Sequence, residues 1–415
     1  MTALPVATAP PPPPDRAALA FLLATSLLGT MGIGLLAPVL PFLVAQFAAP
    51  ARVAALVGVL TASYAAAAFI ASPVLGTLSD RLGRKPILIV SLLGSAVGYL
   101  VFGCASAFWM LVVGRLVDGF TAGNFTTVFA SLSDRTPPDA RGRVFGYVGA
   151  AAGAGIIAGP AIGGALARFG VSAPVYVAAG FAGANAVFGM GFMRETRARG
   201  RVIAPLTLAQ LDPIAQLRSV MAMREVRPLL WVSMLFTIAF AIMGALLAEL
   251  AKDSLDWTAT GVSTVFIVVG ICDVAVQAVF LGRILRRVGE RRAALIGLGL
   301  CALGLVGMAG VTAVASATLL ILATAGLAIG EGIFIACLGS ALSERASAED
   351  QGRVQGGGQS VQAAMQACAP IAGGLLYARV GPAVPYVLGA ALVILAARLF
   401  ANLPPPSTVS GSNRT

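Results

Sequence analysis

Four ionisable residues stand well away from any polar flank of the chain. Arg115 and Asp118 lie three residues apart in the otherwise apolar segment "GRLVDGF", and Asp273 and Glu331 are isolated acids within apolar runs. A buried charge costs several kcal/mol unless it is paired or used, so such carboxyls are candidates for binding and releasing protons. Arg115, one helical turn before Asp118, favours an ionised carboxylate there. Asp273 and Glu331 have no basic residue within a turn. Desolvation therefore favours their neutral form. The expectation is that Asp273 or Glu331 exchanges a proton, with Arg115 and Asp118 as an electrostatic partner or gate. A plainer reading also stands: each acid is satisfied by hydrogen bonds along its own helix face, and Asp118 by a local bridge to Arg115.

Neutral amides accompany the acids. Gln277 lies one turn beyond Asp273, Gln359, Gln362 and Gln366 share one helix face, and Asn124 lies two turns from Asp118. Long amides suit a cavity that accepts an amphipathic or cationic ligand; equally, they hold helices together.

These residues sit in a chain of 415 residues that is 58% hydrophobic and only 11% charged, with a mean hydropathy of +0.91. A soluble domain carries about a quarter charged residues. The apolar residues fall into twelve blocks, each near the length that crosses a hydrocarbon core: 18–44, 54–79, 86–105, 108–132, 143–167, 174–193, 228–250, 260–282, 293–313, 317–342, 353–378 and 382–402. The interruptions are helix-like rather than the ten-residue alternation of a barrel. An all-α polytopic membrane protein follows. The net charge of +11 is a topology signal rather than a nucleic-acid footprint, because most Lys and Arg gather in alternate loops, such as Arg81, Arg84 and Lys85, or Arg283, Arg286, Arg287, Arg291 and Arg292. That places both termini in the cytoplasm.

The five cysteines are scattered singly and there is no histidine, so no metal, redox centre or cofactor is expected. No nucleotide-binding loop is present either. Residues 1–17 read as a disordered Pro-rich tail without a basic leader, and 403–415 as a disordered tail. Residues 194–227 form a polar linker, in which Leu206, Leu208, Leu211, Ile214 and Leu217 suggest an amphipathic surface segment.

The linker separates two related halves, 18–193 and 228–402. "LSDRTPPDARGRVFG" (132–146) aligns without gaps on "LSERASAEDQGRVQG" (342–356), an offset of 210 that also lays "GPAIGG" (159–164) on "APIAGG" (369–374). An offset of 206 lays "GTLSDRLGRKP" (76–86) on "GRILRRVGERR" (282–292). A parallel six-helix repeat is the architecture of a carrier that rocks about a site between its halves. The 210 offset maps Glu331 onto Thr121, one turn from Asp118, so the halves are expected to point acids into one cavity.

Two motifs carry mechanism. In "GTLSDRLGRKP", Gly76 allows close helix approach and Gly83 a tight turn. Asp80, Arg81, Arg84 and Lys85 form a charge cluster able to latch the halves together. In "GAGIIAGPAIGG" (153–164), Gly155, Gly159 and Gly163 recur every four residues, giving a smooth packing face, and Pro160 permits bending.

Both motifs resemble signatures of the major facilitator superfamily, the second that of its twelve-helix drug:proton antiporters. "MGIGLLAPVLPFL" (31–43) and "GERRAALIG" (289–297) are similar to the tetracycline:proton antiporters in particular. The resemblance spans 18–402. It implies two pseudo-symmetric six-helix bundles in a bacterial inner membrane, and an inner-gate relay of Asp80 and Arg84 with Asp134. It also implies a coupling role for Arg115 and a sealing helix bearing Gly155, Gly159, Pro160, Gly163 and Gly164. The chain departs from its relatives where many tetracycline exporters carry acids, at Gly29, Gly98 and Cys301, and where they commonly carry a histidine, at Asp273.

The leading expectation is a proton-driven antiporter, working as a monomer in the lipid bilayer, that exports an amphipathic small molecule or drug and confers antibiotic resistance. A sugar or metabolite exporter or a symporter on the same fold is the nearer alternative. A non-transporting membrane sensor or scaffold is the more distant one, and an enzyme finds no nucleophile or metal constellation to rest on.

Overall fold

The computed structural model describes residues 16–122, 124–136, 141–193, 195, 212–345 and 351–404, and all its regular elements are helices. Twelve principal helices follow in order: α1 (Arg16–Leu36), α2 (Pro50–Leu82), α3 (Arg84–Gly103), α4 in two pieces (Phe108–Phe120 and Asn124–Arg135), α5 (Arg141–Leu166) and α6 (Ala173–Phe192). The second set is α7 (Arg227–Leu255), α8 (Ala259–Ala275, continued through a π turn at Val276–Phe280 into Leu281–Val288), α9 (Glu290–Val314), α10 (Ala317–Glu344), α11 (Gln351–Arg379) and α12 (Val384–Ala401). Among the described residues, ten helices are long and apolar enough to cross a membrane. The other two are α4, broken into 13 and 12 residues, and the glutamine-bearing α11. Exposed apolar side chains such as Ile70, Val97, Leu303 and Leu322 ring the bundle, as lipid-facing surfaces require. The chain is a multi-pass membrane protein.

Local chemistry sets the boundaries. The block expected over 18–44 is not one helix: α1 stops at Leu36 and a short helix, Leu40–Ala45, follows. Pro38 accounts for the break, since it cannot donate and disfavours helix at the residue before it. Pro50, Pro174, Pro228 and Pro385 occupy the first turns of α2, α6, α7 and α12, where the missing N–H has no intrahelical partner to lose. The turn from α2 to α3 passes through Gly83 at φ +107°, and its counterpart from α8 to α9 through Gly289 at φ +77°. Those glycines are repeat mates at the 206 offset, and both take the left-handed conformation that side chains resist. Pro73 interrupts α2; its mate, position 279, lies in the π turn of α8.

Of the linker, the helix Pro213–Met221 is described. Asp212 caps it by accepting from the Ile214 N–H at 2.8 Å, and its Val220 packs against Gly357 of α11. Leu206, Leu208 and Leu211 lie outside the described residues.

The halves meet mainly along two helix pairs, α2 with α11 and α5 with α8. At the end of the bundle away from the basic loops, a side-chain carbon on Gly58 would collide with the Pro370 carbonyl, and one on Gly374 with that of Ala54. One on Gly164 would collide with the Ser263 hydroxyl, and Thr260 Oγ1 donates across the seam to Gly164 O at 2.7 Å. Gly164 and Gly374 are mates at 210, Thr260 and Ala54 at 206, so the two seams are copies of one contact. Towards the basic end the same four helices part. Among the described residues, nothing outside its own helix lies within 4 Å of a side-chain carbon placed on Gly76, Gly146, Gly149, Gly356 or Gly358.

Candidate functional site

At the basic end, the turn at Gly83 gathers the predicted cluster. Arg84 pairs with Asp80 at 2.6 Å and with Asp134 of α4 at 3.0 Å, and donates to Ser79 Oγ at 3.1 Å. Lys85 Nζ donates to the Met190 carbonyl of α6 at 2.8 Å. A residue that sequence reasoning missed completes it. Glu195 accepts from the backbone N–H groups of Arg84 and Lys85 at 2.9 and 3.1 Å, capping α3 with a carboxylate where the helix dipole favours one. Its only sequence signal is an acid in an Arg-rich stretch. Apart from Glu195, which follows α6 at the start of the linker, these partners belong to the first bundle. Arg81 also has an interaction partner. Gly76, expected to bring helices together, faces open space: its neighbours across the seam have parted at this end.

Arg115 and Asp118 are brought together within the first bundle. α3 and α4 touch backbone to backbone, since a side-chain carbon on Gly98 would lie 2.8 Å from Gly114 O, and one on Gly114 2.7 Å from Gly98 O. That contact buries Arg115 and Asp118 to 9% and 4% exposure. Their charged groups are 3.5 Å apart, and the guanidinium lies over the Tyr64 ring at 4.3 Å, a favourable cation–π geometry. Arg115 Nε and Asp118 Oδ2 make no hydrogen bond. Asp118 lines a cavity of about 80 Å³ with Gly29, Tyr64, Ser95 and Tyr99, inside the bundle rather than between the halves.

The second acid pair forms across α8 and α10. Asp273 Oδ1 accepts from Gln277 Nε2 at 2.7 Å, just before the π turn, and would lie 3.1 Å from a side-chain carbon at Gly332. Glu331 lies within electrostatic reach of Asp273 and of the Cys301 thiol. The expectation of one shared cavity for all three acids is thus corrected. Asp273 and Glu331 come together, but Asp118 sits in its own chamber, because its side of α4 faces α3 and not the partner half.

The departures from the relatives' pattern fall beside these acids. Gly29 lines the Asp118 cavity, a side-chain carbon on Gly98 would lie 3.0 Å from Asp118 Cβ, and Cys301 neighbours Glu331.

On α5 the glycine stripe packs within its own half. Gly159 and Gly163 back onto the carbonyls of Met31 and Leu35, each of which would lie 2.7 Å from a side-chain carbon on the glycine, and Gly155 meets Thr30. Thr30 Oγ1 also donates to Ala152 O at 2.9 Å. The stripe therefore binds α1 of the same half, with Pro160 against Gly34; the seam with α8 is carried by Gly164, one residue round the helix. Of the amides, Gln359 lines a cavity of about 230 Å³ between α2 and α11 with Phe69, Ser72, Pro73 and Ser360. Gln362 is half-buried, while Gln366 and Gln277 are exposed. The Asn124 side chain lies outside the described residues. Among the described residues no group of three His, Cys, Asp or Glu could hold a metal ion.

Residues 22–356 and 229–415 match the model of the Major Facilitator Superfamily. The chain belongs to this superfamily. It is 32% identical to the tetracycline resistance protein, class C, of Escherichia coli over 91% of this chain and 95% of that protein. It is 26% identical to multidrug resistance protein 2 of Bacillus subtilis over 65% and 67%. In fold it is similar to the human organic anion transporter MFSD10 (TETRAN), at a TM-score of 0.70 and 22% identity over 94% of this chain and 100% of that one. A peptide transporter POT in complex with sulfate gives a TM-score of 0.77 at 15% identity over 95% and 96%. As a major facilitator, this chain has its two bundles sealed at one end through α2–α11 and α5–α8 and parted at the basic end, with one acid on the seam helix α8 and another on α10.

Proposed function

We propose that this major facilitator is a proton-coupled antiporter that exports an amphipathic small molecule by alternating access. The pairing of Asp273 with Glu331 carries the reading. Two carboxyls on α8 and α10, one hydrogen-bonded to Gln277 and the other near a second acid, cannot both ionise cheaply at this depth. A proton held on either of them is an exchangeable charge. A cationic or polar group on the substrate competes for the same carboxylates, which gives antiport rather than symport. The relatives named for tetracycline and multidrug resistance support drug export.

With basic loops facing the cytoplasm, both termini are cytoplasmic, the membrane is the bacterial inner membrane, and the arrangement is open to the inside. The Asp80–Arg84–Asp134 cluster is the inner gate, Arg115 and Asp118 tune the first bundle's response to charge, and α5 seals the outer end against α8. The proton gradient is the energy source, so no cofactor is needed. A single chain holds both bundles, so a monomer suffices.

The test is flux in everted membrane vesicles across a panel of amphipathic cations, tetracyclines, sugars and metabolites, with the pH gradient intact and then collapsed by an ionophore. Gradient-dependent uptake of an amphipathic compound is expected. Uptake that is indifferent to the gradient, or confined to sugars, overturns the reading.

A further inference from the structure

Glu249, near the end of α7, is 1% exposed. Its Oε1 accepts from Lys252 Nζ at 3.2 Å, while Oε2 is buried with no hydrogen-bond partner. Lys252 also reaches Asp253 at 3.5 Å. Asp253 in turn accepts from Tyr377 Oη of α11 at 3.2 Å. Tyr386 of α12, fully buried, donates to the Leu246 carbonyl one turn before Glu249. Lys252 and Asp253 are the charged groups facing Glu249, and both phenols lie within its electrostatic reach. α2 and the Leu40–Ala45 helix, also packed on α7, bring apolar Ala54 and Phe42 into the same core.

This cluster lies at the sealed end of the bundle. Tyr377 is one turn beyond Gly374, whose contact with Ala54 closes α11 on α2. Two carboxylates share one ammonium there, and Asp253 is the better hydrated, at 43% side-chain exposure against 1% for Glu249. The excess negative charge therefore falls on the buried group with the unpartnered oxygen, an arrangement that costs several kcal/mol when left uncompensated. A proton on Oε2 leaves a neutral carboxyl beside a Lys252–Asp253 pair.

We propose that Glu249 is a proton-binding site of the sealed end, and that its protonation permits α11 to close on α2 there. Proton binding and closure favour each other reciprocally, by linkage. The site is separate from Asp273 and Glu331. Its proton comes from the compartment facing that end and returns to it on opening, so it regulates the cycle without itself being carried across. The inference rests on the alternating-access reading above.

The experiment places spin labels at Arg52→Cys and Val380→Cys, both exposed at the sealed end, with Cys104 and Cys368 replaced by Ser. Distances are measured in nanodiscs without substrate between about pH 5.5 and 8.5. The expected result is that the short-distance population falls roughly tenfold as pH rises, that Glu249→Gln keeps it high throughout, and that Glu249→Asp retains the dependence with a displaced midpoint. Should Glu249→Gln not fold, the midpoint of Glu249→Asp decides. A wild type insensitive to pH, a Glu249→Gln that tracks the wild type, or a Glu249→Asp midpoint equal to the wild type's overturns the proposal. Failure of vesicle antiport would instead strike the functional reading, because these distances need neither substrate nor gradient.

Discussion

Gly374 of α11 rests directly against Ala54 of α2: a side-chain carbon on the glycine would strike the Ala54 carbonyl and stand 3.0 Å from the Ala55 Cα. Backbone cannot step aside as a flexible side chain does. Gly374→Ala therefore forces the two helices apart at the sealed end, at a cost of about 1–3 kcal/mol. That lowers the closed population by about tenfold or more. Spin labels at Arg52→Cys and Val380→Cys report it as a shift to longer distances, and vesicle flux falls with it. Unchanged distances would show that the contact does not hold the seam.

Asp273→Asn and Glu331→Gln each remove one member of the acid pair while preserving shape. Both variants are expected to fold and to bind substrate, and to lose gradient-driven flux by at least about tenfold, a coupling loss of the usual size. Exchange of labelled for unlabelled substrate, which needs no proton, should persist. Full gradient-driven efflux in both variants would remove these acids from the coupling machinery.

The Arg115–Asp118 pair makes a different prediction. Both side chains are about nine-tenths buried, and removing one partner of such a pair costs about 3–5 kcal/mol through the charge left behind. Asp118→Ala should give little monodisperse protein. Arg115→Met with Asp118→Leu should restore yield and thermal midpoint without restoring proton-driven flux. A double variant no better than the single one would mean that the chamber, rather than the charge pair, decides folding.

The sequence made the architecture legible because repeats and turn glycines are local signals. The offset of 206 pairs Gly83 with Gly289, which take the same positive-φ turn, and the offset of 210 pairs Gly164 with Gly374, which both lie in a seam. Side-chain periodicity states which residues lie on one helix face, but not which neighbour that face meets. Gly155, Gly159 and Gly163 were therefore read correctly as a packing face, yet their partner α1 could not be named. The same gap hid Glu249, whose neighbours Asp253 and Leu246 are bonded by Tyr377 and Tyr386 from more than 120 residues away. The Arg115–Asp118 pair was legible from its spacing, but the direction of Asp118 is set by the Gly98–Gly114 contact, a tertiary fact. Glu195 was invisible for a related reason: a cap supplied from 111 residues downstream leaves no local pattern.

Glu195 supports the last prediction. Its two oxygens take the N–H groups of Arg84 and Lys85, which head α3 and have no intrahelical acceptor. Gly83 allows the approach, because a side-chain carbon at that position would meet the Glu195 carboxylate. Glu195→Ala leaves both donors to water and should cost about 1 kcal/mol, the usual value of a helix cap. Since Arg84 also holds Asp80 and Asp134, loss of the cap loosens the aim of its guanidinium as well. A modest fall in thermal midpoint is expected, with a partial loss of flux that Glu195→Gln, keeping one acceptor oxygen, reproduces less severely. Arg84→Ala, which removes all three side-chain contacts, should lose more flux than either. If Glu195→Ala matches the wild type in both measurements, the cap contributes nothing to the gate and Arg84 is held by its carboxylates alone.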